Sequence, residues 1–115
     1  MKIIELSDDP NKILEETDDD ILSLFYFTAS WCGPCKRIYP LLLDLENKMN
    51  ENKKDEKKDV IFYKIDIDEN EEYLETLDIS SVPTFYLYEK KELLGETKGA
   101  DIKKVGELIL NNIYK

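Results

Sequence analysis

From Ile21 to Thr28 apolar residues stand at almost every position, the pattern of a central strand covered on both faces. Beyond it, Ile38, Leu41, Leu42, Leu45 and Met49 recur at helical spacing and predict a helix from Gly33 to about Asn50, bent where Pro40 removes a ladder bond. Upstream, Lys2 to Leu6 reads as a short strand. Asp8-Asp9-Pro10 supplies a capping carboxylate and a first-turn proline, opening a helix with Ile13 and Leu14 inward. Val60 to Ile67 is the next strand, after which Asp68 is placed to cap a short helix carrying Tyr73, Leu74 and Leu77. Thr84 to Tyr88 and Glu92 to Thr97 read as a hairpin turning at Lys90-Lys91, without the usual glycine of a tight turn. Asp101 then caps a last helix whose stripe is Ile102, Val105, Leu108, Ile109 and Ile113. The order is β-α-β-α-β-α-β-β-α, an α/β chain without internal repeats or low-complexity linkers.

A chain of 115 residues with 42% hydrophobic positions predicts one compact domain, residues 1–115. The formal charge of -10 argues against nucleic acid, which needs clustered Lys and Arg, and against an anionic membrane surface. The acids gather from Glu5 to Asp20 and from Asp66 to Asp78. They are solvated helix faces that maintain solubility, or a rim that selects basic partners. Glu51 to Asp59, ENKKDEKKD, holds no apolar residue and reads as an exposed helix end and loop. Met1 to Glu5 is too short and too soon charged for a signal peptide, and no run approaches the ~20 apolar residues of a membrane span. The expected compartment is intracellular and reducing, hence cytoplasmic.

Both cysteines fall in Trp31-Cys32-Gly33-Pro34-Cys35, between the second strand and its helix, with Lys36 next. A cysteine that opens a helix meets outward N–H groups and the positive end of the dipole, a setting in which thiol pKa values fall to about 3.5–7.5. A second cysteine three residues on is one turn away, close enough to close a disulfide ring. Cys32 is therefore the expected attacking thiolate and Cys35, deeper in the turn, the resolving thiol. Trp31 offers an apolar wall beside the nucleophile. Zinc normally needs four ligands, and the chain has no histidine and no third cysteine, so no metal is expected.

WCGPCK between a strand and a helix resembles the thioredoxin family, and the resemblance runs along essentially the whole chain. Pro40 matches the family's kinking helix proline, Val82-Pro83-Thr84 its cis-proline segment, Gly99-Ala100 the glycine of its last strand, and Lys64 the lysine beneath the active site. The resemblance implies the thioredoxin fold, a central mixed β-sheet of about five strands flanked by about four helices. It also implies a cis Val82–Pro83 bond, with the Val82 backbone open to an extended substrate segment and Trp31, Gly33, Pro34 and Gly99 forming the neighbouring surface. No bound cofactor is implied beyond the redox-active Cys32–Cys35 disulfide. The implied partners are disulfide-containing proteins and an NADPH-dependent flavoprotein thioredoxin reductase, and the implied unit is a monomer.

One position departs from the family: Tyr26 stands where a buried aspartate is usual, six residues before Cys32. A phenol of pKa ~10 is no base near neutral pH. Tyr26 either fills the core with its hydroxyl satisfied, or donates a hydrogen bond to a developing thiolate or a water. Lys64, without that carboxylate, is expected to reach water or another acid. The expected activity is dithiol–disulfide exchange reducing protein disulfides. The alternatives are a specialised redoxin of the tryparedoxin or nucleoredoxin kind feeding a dedicated peroxidase, or a noncatalytic thioredoxin-like binding module.

Overall fold

Strand β2 (Ile21–Thr28) is buried from Leu22 onward and forms the centre of the sheet in a computed structural model that describes residues 3–51, 56–75, 77 and 79–114. Among the described residues it is joined by β1 (Ile4–Glu5), β3 (Asp59–Asp66), β4 (Thr84–Glu89) and β5 (Glu92–Lys98) in the order β1-β3-β2-β4-β5. β1, β3 and β2 run parallel; β4 and β5 complete the sheet antiparallel. The helices are α1 (Pro10–Glu16), α2 (Gly33–Asn50), α3 (Glu71–Leu74) and α4 (Ile102–Leu110).

Alternation along β2 divides the interior in two. Leu22, Leu24 and Tyr26 face a core completed by Cys35, Ile38 and Leu42 of α2 and by Val105 and Ile109 of α4. Phe25 and Phe27 face a second core with Leu6, Leu14, Tyr63, Tyr86 and Tyr88. Leu22, Leu24, Phe27, Phe62 and Leu87 are fully buried, and burial of each such side chain contributes about 1.5–3 kcal/mol. The register of the strands also decides which side chains meet beneath the cysteines. Tyr26 lies opposite Lys64 on β3 and Phe85 on β4, and Thr28 lies opposite Asp66.

The end signals of α1 and α4 act as the sequence predicts. Asp9 accepts from the Asn11 amide, and Asp101 from those of Lys103 and Lys104. Elsewhere the structure departs from the expectation. The first strand is only Ile4–Glu5; Lys2 lies outside the described residues, and Leu6 is held by its N–H donating to the Lys64 carbonyl at 2.9 Å. β3 begins at Asp59 and ends at Asp66. Asn70, not Asp68, precedes α3, and it caps without a side-chain bond. In α2 Leu41 is 47% exposed whereas Glu46 is buried, receiving Asn50 Nδ2, which also reaches the Val60 carbonyl. Of the charged stretch from Glu51 to Asp59, residues 52–55 lie outside the described residues. The rest is not a free loop: Lys58 donates its N–H to the Ile113 carbonyl at 2.8 Å and pairs with Glu89.

Candidate active site

β2 delivers the chain through Ala29 and Ser30 to Trp31, and α2 begins directly after Cys32, its N-cap. Cys32 occupies both capping roles: Sγ accepts from the Cys35 N–H at 3.1 Å, and its carbonyl accepts from Lys36 at 3.3 Å. Pro34, in the first turn, has no N–H to leave unsatisfied and a φ already suited to a helix. The turn so formed brings the Cα atoms of Cys32 and Cys35 to 5.3 Å, and the two sulfurs are bonded as a disulfide.

Exposure does not separate the two cysteines as the sequence suggests. They are 3% and 2% exposed, because a facing loop covers Cys32, with Sγ 3.7 Å from the Val82 carbonyl. Their surroundings differ instead. Cys32 meets this loop, where the Val82–Pro83 bond is cis, Val82 is half-buried and Pro83 buried. The Gly99 N–H donates to the Pro83 carbonyl at 2.8 Å from a φ of +95°, which brings Gly99 alongside the same segment. Trp31 is 67% exposed, and its indole N–H donates to Asp68 Oδ2 at 2.9 Å. Gly33 and Pro34 are exposed on the turn itself.

Cys35 faces inward, onto a recess of about 290 Å³ lined by Tyr26, Lys36, Tyr39, Lys64 and Asp66 among others. Tyr26 is 1% exposed, stacks on Phe85 with ring centroids 5.3 Å apart, and donates its hydroxyl to the Cys35 carbonyl at 2.9 Å. Burial pushes its phenol above the ordinary 10.0, although a hydrogen bond with Thr28 pulls the other way. Lys64 is half-buried at the wall of this recess, in reach of solvent, and the acid expected as the alternative does not pair with it. Its ammonium lies 5.2 Å from the centre of the Tyr39 ring, a cation–π contact, and it makes no ion pair among the described residues.

Three residues near the cysteines escape a reading of the sequence alone. Tyr39 and Asp68 carry no local signal, because their partners, Lys64 and Trp31, are distant in the chain. Asp66 does carry one: it stands two residues after Lys64 and so shares its face of β3. Among the described residues, no group of three His, Cys, Asp or Glu is placed to hold a metal ion.

The thioredoxin family model matches residues 4–111. The chain belongs to the thioredoxin family. It is 39% identical over 94 residues to thioredoxin from Geodia cydonium, covering 81% of each chain. It is 36% identical over 107 residues to mitochondrial thioredoxin O1 of Arabidopsis thaliana, which covers 91% of this chain and 50% of that protein, so the chain spans about half the length of that relative. The structure of reduced Schistosoma mansoni thioredoxin pre-protein superposes with a TM-score of 0.82 at 37% identity, covering 98% of this chain and all of the other. The five strands and four helices described above are the thioredoxin fold.

Proposed function

We propose that this chain is a dithiol–disulfide oxidoreductase that reduces protein disulfides through Cys32 and Cys35. The observation that carries the reading is the disulfide closed across the first turn of α2, with Cys32 at the N-cap. Once that bond is reduced, the amides and dipole at the helix start favour a thiolate on Cys32. This thiolate attacks a substrate disulfide, forming a mixed disulfide and expelling one substrate thiolate. Cys35 then attacks Cys32 Sγ, re-forms the intramolecular disulfide and releases the second substrate thiolate. Two electrons pass from the protein to the substrate.

Substrate docks beside Trp31, Gly33, Pro34, Val82, Pro83 and Gly99, with the Val82 backbone available to pair with an extended segment. Recognition through backbone groups is tolerant of substrate sequence. Residues 1–115 act as one domain and as a monomer, with Tyr26 and Lys64 modulating the inner thiol. The dithiol is regenerated by an NADPH-dependent flavoprotein thioredoxin reductase. The relatives from Geodia, Arabidopsis and Schistosoma are thioredoxins by name, which supports this reading over a specialised redoxin or a noncatalytic module.

The cycle requires a reducing compartment. Cytoplasm is one; the Arabidopsis relative is named as mitochondrial, and the comparisons lend cytoplasm no support over the mitochondrion. Among the described residues no helix is long and apolar enough to cross a membrane.

The test is coupled turnover: NADPH oxidation in the presence of thioredoxin reductase, this protein and a disulfide-bonded protein substrate. Catalytic turnover abolished by Cys32→Ser is the expected result. Absence of turnover with the reduced wild-type protein, whose free thiols have been verified, overturns the reading.

A further inference from the structure

Resolution requires the Cys35 thiol to lose a proton, and the residue directly beneath Cys35 is not built to take it. Tyr26 commits its hydroxyl proton to the Cys35 carbonyl and is a phenol, not a base. Of the other groups facing the recess, Lys36 on α2 and Lys64 on β3 are cations, and Tyr39 on α2 is a second phenol. Asp66 on β3 is the carboxylate of the lining. We infer that Asp66 accepts the Cys35 proton through water in this recess, a carboxylate on β3 serving where β2 offers only Tyr26. The inference rests on the reading of Cys35 as the resolving thiol.

The geometry supports the assignment in three ways. Asp66 lies opposite Thr28 and on the face shared by Tyr26 and Lys64, so strand register directs it toward Cys35. Its Oδ1 is held by the Asp68 N–H at 2.9 Å, which fixes the carboxylate and leaves Oδ2 without a hydrogen-bond partner among the described residues. The recess of about 290 Å³ has room for several water molecules, each occupying roughly 30 Å³ in the liquid.

The step balances. The Cys35 S–H proton passes to water and thence to Asp66, the Cys35 thiolate attacks Cys32 Sγ, and the Cys32–substrate S–S bond breaks with its electron pair on the departing sulfur. Asp66 returns the proton through water to solvent or to the departing thiolate. Asp66 is thus a positioning residue acting through water.

The experiment mixes the reduced protein with an aromatic disulfide whose released thiol absorbs light. A first phase reports attack by Cys32 and a second reports resolution by Cys35. Because the aromatic thiolate leaves without needing a proton, the second phase isolates deprotonation of Cys35. Asp66→Asn keeps the Oδ1 acceptor for Asp68 and is expected to leave the first phase unchanged. It should slow the second by about a hundredfold or more near neutral pH, the lower end of usual general-base assistance. The deficit should close at alkaline pH, where Cys35 ionises unaided, and Asp66→Glu should recover most of the rate. A second phase unaltered by Asp66→Asn at every pH overturns the inference. So does a uniform slowing at all pH that Asp66→Glu shares, which marks a structural role. Release of one aromatic thiol rather than two per wild-type protein instead sinks the underlying assignment of Cys35.

Discussion

The hydroxyl of Tyr26 donates to the carbonyl oxygen of Cys35 at 2.9 Å, tying the central strand to the first turn of the helix that carries both cysteines. This bond answers what a bulky phenol does in a position where the family resemblance leads one to expect a carboxylate. Tyr26 fills the core against Phe85 and satisfies its one polar atom on helix backbone, so it anchors the redox turn rather than titrating with it.

Tyr26→Phe keeps the ring and removes the hydroxyl, and should destabilise the protein by about 1 kcal/mol at neutral pH, the net worth of a typical buried hydrogen bond. The pH dependence has a definite sign. Burial holds the Tyr26 phenol above 10.0, and Tyr63 and Tyr88 are raised for the same reason. Below pH 10 these phenols are protonated folded or unfolded and contribute fully. As pH rises past 10, the unfolded chain ionises first and stability is lost. Denaturant midpoints measured across this range should show the wild-type advantage over Tyr26→Phe shrinking above pH 10. A constant gap would mean that Tyr26 ionises alike in both states.

For the cysteines, Cys35→Ser should accumulate mixed disulfides with protein substrates, and Cys32→Ser should accumulate none. Timed alkylation of the reduced protein near neutral pH, read by mass spectrometry, should label Cys32 first. Faster labelling of Cys35 reverses the assignment. Exposure cannot decide this, because the disulfide form buries both residues almost equally; the difference lies in the helix N-terminus beside Cys32 and the inward recess beside Cys35.

Residues whose role depends on near neighbours are legible in the sequence, and residues whose role depends on distant ones are not. The mostly apolar run Ile21–Thr28, the proline and carboxylate at Asp9-Pro10 and the Asp101 cap are local signals, and each produces its element. Asp68 has the right composition for a helix cap, but the Trp31 indole, 37 residues away, claims its carboxylate. Glu46 is charged and by composition belongs on the surface. Asn50 brings it inward by bonding both Glu46 and the start of β3, a pairing no periodicity announces. Lys58 sits in a run of charges and pairs with Glu89 across the fold. At the redox turn the motif identifies the cysteines, whereas the Tyr26 partner and the Asp66 recess depend on the strand register.

Trp31 is the chain's only tryptophan, so its fluorescence reports the redox rim without interference from another indole. Asp68→Ala removes the acceptor that holds the indole N–H. Stability should change by less than about 1 kcal/mol, since an exposed charged contact is weakened by solvent. The indole itself should become freer, giving lower fluorescence anisotropy and stronger acrylamide quenching. Unchanged quenching would show that packing, not Asp68, orients Trp31.

Gly99 and Gly95, both in the last hairpin region, should respond to alanine for opposite reasons. At Gly99 an added Cβ meets nothing within 4 Å, yet the φ of +95° is one that L residues adopt only under strain. Gly99→Ala should therefore cost about 1–2 kcal/mol through the backbone alone. Any relaxation moves the N–H that holds the Pro83 carbonyl beside Cys32. Gly95 has an ordinary φ, but its Cβ would fall 2.7 Å from Leu108 Cδ1. That atom is the end of a flexible side chain on α4, so Gly95→Ala should cost about 1 kcal/mol, the low end of overpacking, and leave the redox loop in place. Stability alone will not distinguish the two variants cleanly; the rate of protein-disulfide reduction will. Gly99→Ala should lower that rate severalfold and Gly95→Ala should leave it near wild type. Equal rates in the two variants would show that the Gly99–Pro83 bond is not needed to hold the docking segment.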